Sequence, residues 1–206
     1  IAGEQADRAV ALASRLDDEL GATRVIQGQA LGIDGSDELG VRGDEAACDL
    51  DSVEVSDDAL GRALDRLFAL ASERGLDVDL HVDQTEELSA FTIPEIAKAR
   101  LRSGFQGRVV LGHCVNLSLM PPEVIEQTLS LAREADLAFV SMPTPMMYLM
   151  DRKPGRTPRW RGVTAANEIR AAGLPVAIGG DNCRDAWFPY GDHDMLDTWR
   201  QAVRST

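Results

Sequence analysis

The sequence predicts an α/β fold built on a parallel sheet, and three features of its 206 residues carry that reading. Short apolar runs alternate with longer segments whose apolar residues recur at helical spacing. The runs are apolar at nearly every position, as strands covered on both faces are. Three of them close on a side chain able to do chemistry: DLH on His81, VVLGH on His113 and AIGGD on Asp181. A three-layer open sheet and a (β/α) barrel both fit the alternation.

Taken in order, residues 6–20 place Ala9, Val10, Ala13, Leu16 and Leu20 at helical spacing, and Gly21 supplies a stop. A strand core follows at Arg24 to Ala30. The acidic stretch 34–56 is poor in pattern and offers one weak strand near Ala46 to Leu50. From Asp57 to Arg74, the residues Leu60, Leu64, Leu67, Phe68 and Ala71 share one helical face, with Gly75 past the end. Val78 to His81 reads as the next strand. Pro94 to Ser103 reads as a helix with proline in its first turn and Gly104 after it. A strand at 108–114, a helix opened by Pro121 and Pro122 and running to Ala135, and a strand at 136–142 follow. Residues 143–163 read as a long loop, with Thr164 capping a short helix that ends at Gly173. A strand at 174–181 and a helix at 193–204 complete the chain, the helix grouping Leu196, Trp199 and Val203. There is no internal repeat and no low-complexity segment.

A hydrophobic content of 44% suits a globular core, and this length makes one large domain or part of one. The formal charge of −13 argues against nucleic acid or an anionic membrane surface as the main partner. Cys48, Cys114 and Cys183 are widely spaced with no CxxC, the pattern of free thiols in a reducing, cytoplasmic compartment. No apolar run approaches the roughly 20 residues needed to span a bilayer, and no signal peptide is visible. The chain opens on Ile1, already close to a helix, so an internal point of a longer polypeptide is expected.

The strand ends favour the barrel. Alternate residues of a strand share a face, which groups His113 with Leu111 and Val109, and Asp181 with Gly179 and Ala177. Polar residues at the carboxyl ends of barrel strands converge on one mouth. Two imidazoles and a carboxylate there have the composition of a metal site. A single strand-end histidine is more commonly a hydrogen-bonded structural residue, and an aspartate after Gly-Gly a turn former. Recurrence in three βα units is what favours a site.

The segments DLHVDQ, LGHCVNLSLM, TPRWRGVTAANEIRAAGLPVAIGGDN and DAWFPYGDHDMLD resemble the cytosine-deaminase branch of the amidohydrolase superfamily. The resemblance runs from about Ser56 to the end and is densest between Arg161 and Asp197. It implies a metal-dependent (β/α)8 TIM barrel, of which residues 1–206 form part of one domain, with N-terminal strands and a C-terminal portion missing. It implies His81, on the fifth barrel strand, as a metal ligand. Asp181, on the eighth, is then both ligand and proton acceptor, and His113, on the sixth, steadies the attacking water or the oxyanion. Gln84, Trp187 and Asn182 are implied to contact the substrate. The implied cofactor is one divalent ion, Zn2+ or Fe2+. The implied reaction is hydrolysis of a C–N bond in a small nitrogen heterocycle or cyclic amide by metal-bound hydroxide, in a protein that could form homo-oligomers.

Three departures qualify these expectations. The family's HxH is absent and the third histidine, His193, lies near the C-terminus, so two further ligands are expected outside this stretch. Gln84 stands where the family has a glutamate that shuttles protons, help worth about 10² to 10⁴ in rate. A glutamine holds a ring by hydrogen bonds but cannot titrate, so a different leaving group or weak deamination follows, with Asp181 and His113 managing the protons. Finally, SMPTPMMYLMDRK brings four methionines, either softening the pocket or packing on the barrel rim. The alternative function is a non-catalytic relative that binds a heterocycle or a protein partner. An open-sheet phosphate binder ranks last, because no GxGxxG or P-loop occurs at a strand–helix turn.

Overall fold

The computed structural model describes the backbone of residues 25–29 together with residues 57–206, with side chains from Leu60 onward. The helix expected at 6–20 and the weak strand at 46–50 lie outside the described residues. The elements are β1 (Val25–Gln29), α1 (Asp57–Arg74), β2 (Asp77–Val82), α2 (Ile93–Ser103), β3 (Val109–His113), α3 (Pro122–Glu134), β4 (Leu137–Ser141), α4 (Pro143–Leu149), α5 (Ala166–Ala171), β5 (Val176–Ile178) and α6 (Met195–Ser205). Short 3₁₀ turns at Leu88–Ala90 and Val115–Leu119 follow β2 and β3.

The five strands among the described residues are all parallel and pair in chain order, β1-β2-β3-β4-β5. That order separates the two architectures left open by the sequence. A doubly wound open sheet reverses its strand order at a switch point and needs helices on both faces. Here Val78, Leu80, Val109, Leu111, Leu137 and Phe139 alternate along their strands and pack with Leu64, Phe68, Ile96, Ala97, Leu129 and Ala132 of α1, α2 and α3. Those helices therefore cover one face only, and the winding is that of a barrel wall. Each fully buried leucine, isoleucine or phenylalanine of this layer contributes about 1.5–3 kcal/mol relative to exposure.

The opposite strand face carries Asp79, His81, Gly112, Val140, Ala177 and Gly179. Here the structure amends the sequence reading at several points. The stretch read as loop at 143–163 contains α4, begun by Pro143, whose missing N–H costs nothing in a first turn. The strand expected at 174–181 is shorter, Val176–Ile178, and one further bond from Gly179 N to Ser141 O continues the pairing. Thr164 does not cap α5: Ala165 holds the N-cap place without a side-chain bond, and the Thr164 hydroxyl turns to the backbone of His113 instead. On α6 the apolar residues Leu196, Trp199 and Val203 do share a face, but all three are exposed.

Arg100 joins the helical layer to the turns beneath it. Its buried guanidinium donates through Nη1 to the carbonyls of Ala135 and Asp136, and through Nη2 to Gly107 O at 3.1 Å and Asp136 Oδ2 at 3.3 Å. One side chain thus fastens α2 to the α3–β4 turn and to the start of β3. Arg100→Met, which keeps the aliphatic bulk, is expected to leave these carbonyls short of a donor and to cost about 1–3 kcal/mol in denaturant unfolding.

Candidate active site

The site begins with a glycine. The β2–β3 register pairs His81 with Gly112 and Val82 with His113. A Cβ on Gly112 would lie 2.6 Å from Met142 Cε and 3.0 Å from His81 Cδ2, so glycine is what lets the imidazole and the methionine meet there. Val82, beside His113, packs toward the helical layer. Strict alternation would send His113 the same way, with Val109 and Leu111, as the sequence reading grouped them. The backbone breaks that alternation: His113 has φ 67° and Cys114 φ 47°, both left-handed. This region costs a non-glycine residue about 1–2 kcal/mol. It is secured by the Thr164 hydroxyl, which donates to His113 O at 2.6 Å, and by Cys114 N donating to Val82 O at 3.1 Å.

The result is a convergence. His113 Nε2 lies 3.2 Å from His81 Nδ1, with the rings edge to face, and 3.6 Å from Asp181 Oδ2. One ligand atom from each of His81, His113 and Asp181 falls within 4.8 Å of the others. The three come from the carboxyl ends of β2 and β3 and from the segment just past β5. Burial, aided by the neighbouring His81, pulls the His113 imidazole down to about 3, so it is neutral at pH 7. Burial raises the carboxyls of Asp181 and Asp79, against the opposing effect of His81. His113 Nδ1 is buried without a protein partner. A neutral imidazole, a second imidazole and a carboxylate converging at this separation form a donor set suited to a divalent transition ion.

Around the cluster the loops are tied by carboxylates that the sequence reading missed. Asp83, left-handed at φ 58° and buried, accepts from Thr92 N at 3.0 Å and Thr92 Oγ1 at 2.6 Å. Asp151 accepts from the Arg156 guanidinium, Arg159 N at 2.5 Å and Trp160 N at 3.4 Å. Lys153 reaches Glu86 at 2.8 Å, joining the segment after α4 to the segment after β2. Asp185 Oδ1 accepts from Trp187 N at 3.0 Å and Phe188 N at 2.8 Å. Asn182, expected at the substrate, gives its Nδ2 to Asp185 Oδ2 at 2.6 Å. Gln84 is exposed, Trp187 is half-buried, and His193 is exposed outside the His81–His113–Asp181 group. Met142 and Met146 are buried and Met147 and Met150 half-buried, and Met142 reaches the space beside Gly112 that His81 also borders. A short polar residue at a strand end followed by a helix start, as in Asp83 and Thr92, is the kind of signal that could have flagged one of these ties.

A model of the amidohydrolase family matches residues 4–206. The chain belongs to the amidohydrolase family. This family member is 48% identical over 141 residues to the pterin deaminase of Rhizobium rhizogenes (strain K84 / ATCC BAA-868), covering 68% of the chain and 32% of that protein. It is 26% identical over 137 residues to the N-isopropylammelide isopropyl amidohydrolase of Pseudomonas sp. (strain ADP), covering 65% of the chain and 30% of that protein. It thus spans about a third of the length of the curated relatives it matches. Among solved structures it superimposes on 5-methylcytosine deaminase from Klebsiella pneumoniae liganded with phosphonocytosine, with TM-score 0.69, 22% identity, and 90% and 40% of the two chains covered. It also matches N-isopropylammelide isopropylaminohydrolase from Burkholderia multivorans ATCC 17616, with TM-score 0.55, 27% identity, and 70% and 33% covered. The fold is therefore that of the TIM-barrel amidohydrolases, with five parallel strands of the barrel described here.

Two outcomes follow from this geometry. Gly112→Ala forces a shift of Met142 or of the His81 ring and is expected to cost about 1–3 kcal/mol, with Gly112→Ala/Met142→Ala less impaired than the two losses summed; thermal denaturation of the four proteins measures this. The Arg156 guanidinium, aided by the Arg159 and Trp160 amides, holds the Asp151 carboxyl well below the usual carboxylate range. A depressed folded-state pKa gives stabilisation that is present above the ordinary value, near ~4, and is lost as pH falls through the folded value. Limited proteolysis across 151–160 is expected to accelerate on acidification below about pH 4, and Asp151→Asn to be cleaved readily at every pH.

Proposed function

We propose that this protein is a metal-dependent hydrolase that releases an amine or ammonia from a C–N bond of a small nitrogen heterocycle, with a pterin-type ring as the first substrate to test. One observation carries the reading: two imidazoles and a carboxylate from separate strand ends meet within 4.8 Å at the end of the sheet where barrel enzymes do their chemistry. The pterin assignment draws on the 48% identical deaminase. The relatives named above are all hydrolases, which leaves the non-catalytic alternative without support.

In this proposal His81 and Asp181 hold one divalent ion, Zn2+ or Fe2+, and His113 faces the same point. When bound, such an ion makes water a nucleophile near neutral pH and polarises the carbon under attack. The protein's own groups do the rest. Asp181 Oδ2 takes the proton of the attacking water and passes it to the departing nitrogen. His113, neutral because it is buried, donates from Nε2 to the oxygen on which charge develops. Gln84 holds a ring carbonyl or nitrogen through its amide without exchanging a proton, and Trp187 walls the pocket. Asn182 acts through Asp185, fixing the loop that carries Asp181. Residues 1–206 form part of a single barrel domain, and the protein works in the cytoplasm on a small molecule, without nucleic acid or membrane. Among the described residues no helix is long and apolar enough to cross a membrane.

The test is metal analysis of the purified protein, paired with assays of ammonia release from pterins and from cytosine. Close to one Zn or Fe per chain is expected, with loss of metal and of turnover in His81→Ala and Asp181→Ala. Gln84→Ala is expected to lower kcat/KM about tenfold, the worth of one hydrogen bond of ~1.4 kcal/mol. A protein that takes up no metal after loading, or whose turnover survives Asp181→Ala, would overturn the proposal.

A further inference from the structure

Asp83 lies two residues after His81 and immediately before Gln84, and three parts of the site's framework meet on it. Its Oδ1 accepts from Thr92 N at 3.0 Å and Thr92 Oγ1 at 2.6 Å, fixing the start of α2. Its carbonyl accepts from Val115 N at 3.1 Å and Asn116 N at 3.3 Å, the turn that directly follows His113 and Cys114. The adjoining Val82 carbonyl takes Cys114 N at 3.1 Å. The carboxyl end of β2, the amino end of α2 and the left-handed exit of β3 are therefore locked together through one residue.

The residue type is constrained twice. At φ 58° the backbone is left-handed, a region open to glycine and, among other residues, mainly to asparagine and aspartate. The bonds from Thr92 require an acceptor oxygen on a short side chain. Aspartate and asparagine satisfy both demands, glycine only the first, and alanine neither. The lock is also buried: Asp83 is 6% exposed and Asn116 fully buried, and Asp83 Oδ2 and both polar atoms of the Asn116 side chain lack a protein partner. Solvent does not readily replace a lost bond in such a place.

We propose that Asp83 is a positioning residue, setting the aim of Gln84 on one side and of His113 on the other while touching neither substrate nor metal. This rests on the hydrolase reading above, and it extends the site to a residue whose effect is geometric. A misplacement of about 1 Å in such groups can lower turnover a hundredfold while binding changes less.

The experiment compares Asp83→Asn, Asp83→Gly and Thr92→Val with the parent in the metal-loaded protein. It reads kcat and KM for pterin, and backbone amide exchange at Val115 and Asn116 against Phe139 and Val140 of β4. Asp83→Gly and Thr92→Val are expected to lose about ten- to a hundredfold in kcat with KM within about threefold. In both, exchange at Val115 and Asn116 quickens about tenfold or more while β4 stays protected, and Asp83→Asn recovers most of the parent's behaviour. Unchanged kcat in both variants, or exchange rising evenly across the sheet, would overturn the proposal. If the parent turns over no heterocycle, the hydrolase reading fails on that result. The exchange data then still decide: local loosening at 115–116 supports the positioning role, and its absence rejects it.

Discussion

The arrangement depends on a single backbone event, the break in strand alternation at the end of β3. A parallel strand delivers side chains to its two faces in turn, and here one face belongs to the helices. Left straight, β3 would have sent the imidazole of His113 into an apolar layer made of Val109, Leu111 and the helices behind them. The left-handed steps at His113 and Cys114 turn it to the other face, where it finds His81 and Asp181. The same turn places the His113 carbonyl under the Thr164 hydroxyl and the next amides on the carbonyls of Val82 and Asp83. The local cost of the backbone and the bonds that offset it are thus part of one structure.

This divides the labour between the two faces of the sheet. The helical face is filled by large apolar side chains and closed by Arg100, whose bonds run to three backbone carbonyls and the Asp136 carboxylate. The other face carries small residues near the cluster, Gly112 and Gly179; the space beside Gly112 is taken by Met142 and His81, and that beside Gly179 by Val140 and Met142. Methionine suits such a gap, being unbranched and polarizable. Stability and site geometry are therefore set largely by different residues, meeting at the strand ends.

How much of this was legible in the sequence follows from which rules are local. The helices from Asp57 onward other than α4, and the strands β2, β3 and β4, could be read from periodicity, glycine stops and apolar runs, because burial imposes those patterns directly. The grouping of His81, His113 and Asp181 was legible as a set of strand ends, and the likeness to cytosine deaminases drew on the same segments. What stayed hidden depended on backbone conformation or distant pairing. Alternation assigned His113 to the wrong face because a left-handed residue leaves no mark in hydropathy. Proline at 143 and 145 read as loop although both fit a helix's first turn. Thr164 read as a helix cap because its partner, the His113 carbonyl, lies 51 positions away in the chain. The bond from Asn182 Nδ2 to Asp185 likewise left no trace in the local sequence pattern.

The left-handed setting of position 113 also bears on how this scaffold can diverge. Few side chains enter that conformation without strain: glycine freely, asparagine and aspartate readily, histidine among the next. A lineage drifting toward new chemistry can rebuild the surrounding loops almost at will. At this one place its vocabulary is short, and nearly every word in it is polar. The fold therefore biases what can stand opposite the carboxylate before any selection on substrate begins.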